Sequence, residues 1–288
     1  LTVGHKISEY ATFDGYWVDL DFAIGKGASM GLLDGKRGLV FGIANDRSIA
    51  CYIANQLIRE GASCAFPHLP GPKNERRTRK ALESIGVADP VLMACDVSQD
   101  EDLDRVFEQT RGKFDTIDFL VHSVAYADRT FLKPGNFSTT SREAFSQALD
   151  ISAYSLVAMV DRAKEIMPNG GSVIAMTYYG SEKVVPGYNV MGVAKAALEC
   201  TCRYLAADLG VSGIRVNCVS AGPIRTLSAM AVGGIDDMFD WVAKKSPLQR
   251  NIEAEEVAKT SVYLLSDLAS GVTGETHFVD AGYNTIGL

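Results

Sequence analysis

From residue 36 onward, short and almost continuously apolar runs alternate with longer amphipathic ones, and this alternation constrains the fold more than any other feature. "RGLVFGI" has strand character. In the "RSIACYIANQLIREG" that follows, Ile49, Ile53 and Leu57 recur at helical spacing and Gly61 ends the helix. "ASCAFP" is a second strand, and "NERRTRKALESIG" is a polar helix closed by Gly86. "PVLMACDV" and "DEDLDRVFEQTRGKF" repeat the unit, with Leu103, Val106 and Phe107 on one helix face. Next come "IDFLVHSV", a long helix from about Ser141 to Met167, "GSVIAMTY", a helix after Tyr188, and "IRVNCVSAGP". A helix from about Ala254 to Leu265 and a strand near "THFVD" complete the series. Strands without polar alternation are buried on both faces. Strands alternating with helices imply right-handed crossovers and one α/β domain, a doubly wound parallel sheet flanked by helices. Such sheets bind ligands at the carboxyl ends of their strands.

The 288 residues contain no internal linker, repeat or low-complexity stretch, so a single domain is expected over residues 31–288. Residues 1–30 lack a sustained period and the parts of a signal peptide. They are set aside as an extension, either upstream sequence or an arm that packs on a neighbouring subunit. A net charge of −7 without a Lys/Arg cluster argues against nucleic acid as a partner. The apolar runs are too short to span a membrane. Six cysteines without C-x-x-C and four scattered histidines offer no metal-ligand spacing. Scattered cysteines in a chain of this size point to a reducing compartment, the cytoplasm.

After the first strand, "GIANDRSIA" places Gly42 where backbone can approach a pyrophosphate, with a helix N-terminus behind it. Ser48 is placed either to cap that helix or to bond a phosphate oxygen. The stretch is not G-x-G-x-x-G, so a tight turn without a ligand stays open. The second strand lacks the acidic residue that commonly accepts ribose hydroxyls; none occurs before Glu75. Lys73, Arg76 and Arg77 either reach a 2′-phosphate or form a solvated helix face. Asp96 and Val97, after the third strand, either hold adenine or begin the next helix, with Asp96 as its cap.

"YYGSEKVVPGYNVMGVAK" offers two Tyr–Lys pairs. Tyr179 and Lys183 stand at helical spacing, but Gly180, Val184, Val185, Pro186 and Gly187 make the stretch a loop, so they share no face. Tyr188 and Lys195 are two turns apart at the start of a helix rich in Ala, Leu and Met. A lysine there can hold a ribose hydroxyl while its charge favours the tyrosine anion.

Taken with "VHSVAYA", "SAGPIRTL" and "GVTGETHFVDAGY", this stretch closely resembles the bacterial enoyl-[acyl-carrier-protein] reductases, a divergent branch of the short-chain dehydrogenase/reductase superfamily. The resemblance runs from about residue 31 to the C-terminus. It rests on Y-x₆-K in place of Y-x-x-x-K and on a second tyrosine where other members carry a catalytic Ser; Tyr178, Tyr188 and Lys195 match residue by residue. It implies a Rossmann-like fold and reduction of trans-2-enoyl-[acyl-carrier-protein] in type II fatty-acid synthesis. Tyr188 would be the donor to the thioester oxygen, Lys195 the ribose contact and Tyr178 a substrate-orienting group. Gly42, Ser48 and Ile49 would bind the cofactor's pyrophosphate loop and Asp96 and Val97 its adenine. Val124 would lie beside nicotinamide and Ala127 beside the acyl substrate, with Ile224, Arg225, Thr226, Leu227 and Ser228 closing over the cofactor. NADH is the expected cofactor and NADPH the alternative, because Leu69 stands near a cofactor-contact position. Acyl-carrier protein is the implied partner and a homotetramer the implied assembly.

Residues 226–248 mix Ala, Met, Phe and Trp with a Gly-Gly pair, the composition of a lid with an apolar inner face, though an amphipathic helix packed on the core fits as well. The competing functions are a 3-oxoacyl or alcohol dehydrogenase of the broader superfamily and a cofactor-binding regulator without turnover. The first needs Y-x-x-x-K with a strand Ser; the second predicts loss of Tyr188 or Lys195.

Overall fold

The computed structural model describes residues 10–13, 16–19, 31–226 and 235–287. Seven strands form one sheet: β3 (Arg37–Phe41), β4 (Ser63–His68), β5 (Val91–Ala94), β6 (Phe119–His122), β7 (Gly171–Thr177), β8 (Ile214–Ala221) and β9 (Thr276–Val279). Their spatial order is β5-β4-β3-β6-β7-β8-β9, and every pairing is parallel. The direction of winding reverses between β3 and β6, which opens a crevice at their carboxyl ends. Within the stretch set aside as an extension, β1 (Tyr10–Phe13) and β2 (Tyr16–Asp19) pair antiparallel as a sheet of their own.

The apolar strands divide their side chains between two cores. Leu39, Phe41, Leu120, Val173, Ala175, Val216 and Cys218 enter one, with Leu103, Phe107, Leu156, Met159 and Leu198 from helices. Val40, Phe119, Val121, Ile174, Met176 and Val219 enter the other, with Ile53, Leu57, Leu82, Val257 and Val262. Strand residues alternate in direction, so a run apolar at every position needs a helical layer on each side. The two layers are α1 (Ile49–Arg59), α2 (Pro72–Ser84) and α8 (Ala254–Leu265) on one face, and α3 (Asp100–Phe114), α5 (Ser155–Lys164) and α6 (Val190–Leu209) on the other. Truncating a fully buried leucine such as Leu39 would cost about 2–5 kcal/mol.

The local signals account for the helices. In α3, Leu103, Val106, Phe107 and Thr110 are buried on one face. Asp100, Glu101 and Asp102 complement the positive end, and Arg111 and Lys113 the negative end. The helix stops at Asp115, whose φ of 64° leaves the helical region.

The long helix expected over residues 141–167 is interrupted. It consists of α4 (Arg142–Leu149), a π-helical turn (Asp150–Tyr154) and α5. The wide turn has its cause in side-chain hydrogen bonding. Ser152 Oγ accepts from the Tyr126 N–H at 3.0 Å and donates to the Tyr126 carbonyl at 3.1 Å, while Ser155 Oγ donates to the Ile151 carbonyl at 2.7 Å. Single π turns of this kind recur near functional sites. Part of the expected lid is a helix, α7 (Ile235–Lys245), with Phe239 and Val242 buried.

Candidate active site

β3 ends at Phe41, and Gly42 follows with φ 104°. A side chain there would collide with the Ser123 carbonyl after β6, so the crevice needs glycine for both its backbone angle and its clearance. Ser48 occupies the N-cap position of α1, but its hydroxyl accepts from the Ala44 and Asn45 amides at 3.1 and 3.0 Å and stiffens the loop. Ile49 begins α1 and packs against the second core. No acidic side chain lies in the first turn, so the positive helix end remains available to an anion. A glycine turn and an uncompensated helix N-terminus beside a switch-point crevice fit a dinucleotide pyrophosphate.

Asp96 does not cap α3. Its Oδ1 accepts from Ser98 N–H and Oγ at 3.0 and 2.8 Å, and Gln99 takes the N-cap position. The Asp96 amide donates to Asp102, so the turn carrying Asp96 and Val97 is tied to α3 at the edge of the sheet. Leu69 is 57% exposed beyond β4, and Lys73, Arg76 and Arg77 are exposed on α2.

Val124 packs against the first core. Ala127 is buried in an apolar patch with Leu132, Val190, Met191 and Ala194, with Phe145 and Tyr188 packed against it. The Ser152 clamp on Tyr126 holds the backbone between Val124 and Ala127.

Tyr178 follows β7, and its ring meets Tyr188 edge to face with centroids 5.0 Å apart. The Tyr178 hydroxyl donates to Met238 Sδ on α7 at 3.0 Å. Tyr179 turns the other way, edge-on to Phe278 and Tyr283, while Lys183 is exposed, so this pair forms no site. Lys195 is 6% exposed and donates from Nζ to the Met176 carbonyl at 2.7 Å. Burial lowers its pKa from 10.5 to about 8, with Cys218 and Glu199 acting in the opposite direction. Burial, then Tyr178 and Glu199, push the Tyr188 phenol well above its ordinary value. Tyr178 is raised too, by burial and then Tyr283. Both phenols are therefore neutral hydrogen-bond donors at physiological pH. The expected bias toward a Tyr188 anion is outweighed in this geometry.

After β8, Ile224 packs on the second core. Arg225 pairs with Asp236 at 2.9 Å and lies over the Phe239 ring at 4.5 Å. The Thr226 amide donates to the Ile224 carbonyl at 2.7 Å. Leu227 and Ser228 lie outside the described residues.

Four contributors escaped the sequence reading. Glu199 is buried one helical turn beyond Lys195, a spacing that could have signalled it. His122 is fully buried at the end of β6 and pairs through Nε2 with Ser155 Oγ at 2.8 Å. Since the Ser155 proton goes to Ile151, the imidazole Nε2–H is the donor, and Nδ1 has no partner among the described residues. Ser152 and Met238 gave no pattern, because their partners lie far away in the chain.

Residues 42–284 match the family model described as enoyl-(acyl carrier protein) reductase. The chain is 47% identical over 260 residues to enoyl-[acyl-carrier-protein] reductase [NADH] 1 of Rhizobium meliloti, spanning 90% of this chain and 93% of that protein. It is 48% identical over 257 residues to the reductase of Nostoc, spanning 89% and 99%. A solved Bacillus cereus enoyl-acyl carrier protein reductase with NADP+ and indole naphthyridinone superposes with TM-score 0.87 at 47% identity, over 90% of this chain and all of that one. The Anaplasma phagocytophilum reductase in complex with NAD superposes at 0.85 with 43% identity, over 90% and 97%. With Tyr178, Tyr188 and Lys195 gathered at the end of β7, and with this likeness along most of its length, the chain belongs to the enoyl-(acyl carrier protein) reductase family.

Proposed function

We propose that this protein reduces trans-2-enoyl thioesters on acyl-carrier protein to saturated acyl thioesters, with NADH as reductant, in the elongation cycle of fatty-acid biosynthesis. The convergence of Tyr178, Tyr188 and Lys195 at the end of β7 carries this reading.

Gly42, Ser48, Ile49, Asp96, Val97, Val124, Lys195 and the segment from Ile224 through Arg225, Thr226, Leu227 and Ser228 would hold the dinucleotide. When bound, it supplies the hydride that adds to the substrate's β-carbon. Negative charge then develops on the thioester oxygen. A neutral phenol whose anion is strongly disfavoured keeps its proton and offers it as a hydrogen bond, so Tyr188 serves as the donor to that oxygen. Such a donor acts most strongly where charge appears in the transition state, and removing one costs about 10²–10³ in kcat. Protonation at C2 completes the reduction. Lys195, with a pKa of about 8, is mostly ammonium at neutral pH and can donate to the ribose hydroxyls. The apolar patch around Ala127, Val190 and Met191 supports an acyl chain beside Tyr188.

NADH is the cofactor of choice because the exposed residue after β4 is apolar Leu69 and the cations of α2 face solvent. Relatives named for NADH support the choice. Exposed Tyr154, and exposed Tyr204 in an open groove between α5 and α6 lined also by Val157, Ala197 and Leu205, support a homotetramer that buries these helices. Among the described residues no helix is long and apolar enough to cross a membrane. All six cysteines are free thiols, which supports the cytoplasm.

The test is oxidation of NADH and of NADPH with crotonyl thioester and with acetoacetyl thioester. Crotonyl thioester should be reduced and acetoacetyl thioester left unchanged. Reduction of acetoacetyl thioester alone would assign the protein to the 3-oxoacyl class. A kcat/KM for NADPH tenfold or more above NADH, about 1.4 kcal/mol, would reverse the cofactor choice.

A further inference from the structure

Glu199 is a buried side chain whose only part in this chemistry so far is the charge it places near Tyr188 and Lys195. It is 6% exposed, and its Oε1 accepts from Thr177 Oγ1 and from Ser181 Oγ, both at 2.6 Å. Thr177 ends β7 and Ser181 ends the 3-10 turn that follows (Tyr179–Ser181). Tyr178 lies between them, and its carbonyl accepts from the Ser181 N–H at 2.9 Å. One carboxylate oxygen thus joins both flanks of Tyr178. The same helix takes a second hold one residue earlier on β7, where Lys195 donates to the Met176 carbonyl.

A buried carboxylate is costly unless its oxygens are hydrogen-bonded, and a neutral residue could anchor a strand end at lower cost. Here both donors bracket the residue whose ring lies at 75° to Tyr188. Without the clamp, nothing in the side-chain bonding of Thr177 or Ser181 would fix the angle at which the chain leaves β7.

We propose that Glu199 is a positioning residue for enoyl reduction: by clamping Thr177 and Ser181 it fixes the backbone of Tyr178 and holds that ring edge-on against Tyr188. The proposal rests on the function assigned above. Glu199 touches neither substrate nor cofactor; beside the charge it places near Tyr188 and Lys195, its positioning influence passes through Tyr178.

The experiment is a double-mutant cycle in the full-length protein with crotonyl thioester and NADH, reading kcat, KM and melting temperature. Wild-type turnover is the control: its absence would refute the assigned function rather than the clamp. Glu199→Ala should lower kcat about tenfold in the wild-type background and by much less in a Tyr178→Ala background, where no ring is left to orient. Glu199→Gln should retain most activity, since its carbonyl oxygen still accepts both hydroxyls. Ser181→Ala, which removes one donor from a half-buried turn, takes the place of Glu199→Ala in the cycle if that variant does not fold. Equal losses in both backgrounds, or wild-type kcat in folded Glu199→Ala, would overturn the proposal.

Discussion

Gly180 lies so close to Tyr188 that a Cβ on it would come within 2.5 Å of the tyrosine Cδ1. Gly192, on α6, would meet the Gly180 carbonyl at 2.6 Å and the same ring atom at 3.6 Å. The ring of Tyr188 is therefore seated between two glycines and the edge-on ring of Tyr178, and its position is set by clearance as much as by bonding.

Gly180→Ala should consequently impair turnover without unfolding the protein. The obstacle is the aromatic ring rather than the backbone, because Gly180 is not among the glycines with positive φ. Overpacking of this kind costs about 1–3 kcal/mol. The expected result is a kcat lowered about tenfold or more, with NADH affinity within a factor of two of wild type. Unchanged kcat in the folded variant would show that Tyr188 tolerates displacement.

Tyr188 and Lys195 should separate in their effects. Tyr188→Phe keeps the ring that fills the glycine seat and removes only the hydroxyl, so fold and cofactor binding persist while kcat falls about 10²–10³-fold. Lys195→Ala removes the ammonium that would reach the ribose, together with its bond to the Met176 carbonyl, so cofactor affinity falls with turnover. Cofactor titration and steady-state kinetics on both variants check this, and equal losses of cofactor affinity would contradict it.

Stability should depend on pH at both extremes. Burial, and then the charge of Lys195, lower the His122 pKa from 6.5 to about 3. Between those values the unfolded chain binds the proton and the folded chain does not, so stability falls as pH drops from 6.5 toward 3, by up to about 1.4 kcal/mol per unit. Lys195, lowered to about 8, works in the same sense at high pH: between 8 and 10.5 only the unfolded chain is protonated there, and its contribution to stability rises with pH. Urea unfolding across this range should show the acid loss reduced in His122→Gln and the alkaline gain absent in Lys195→Met. Activity should instead decline above about pH 8, as the ammonium is lost.

The parallel sheet was legible in the sequence because its signal is local. Runs such as "RGLVFGI" and "GSVIAMTY" are almost continuously apolar, without polar alternation, and only a strand covered on both faces buries such a run. Tyr188 and Lys195 stood out by their spacing of seven, but the helical face expected of them did not form: α6 begins at Val190 behind Asn189 at φ 45°, so Tyr188 sits in the preceding turn. The dismissal of Tyr179 and Lys183 also rested on local evidence, the glycines and proline between and after them. What the sequence could not show are relationships that depend on chain segments meeting. The π turn comes from the bonds of Ser152 to Tyr126, twenty-six residues away. The grip of Glu199 on Thr177 spans twenty-two residues, and the bond from Tyr178 to Met238 spans sixty. The acidity of Tyr188 was decided by the tertiary structure as well: a lysine seven residues on would favour its anion, but burial, and then Tyr178 and Glu199, push the phenol well above its ordinary value. Periodicity reports which face of an element is covered. Which side chain covers it, and what charge that place permits, are settled only when the elements pack and exclude water.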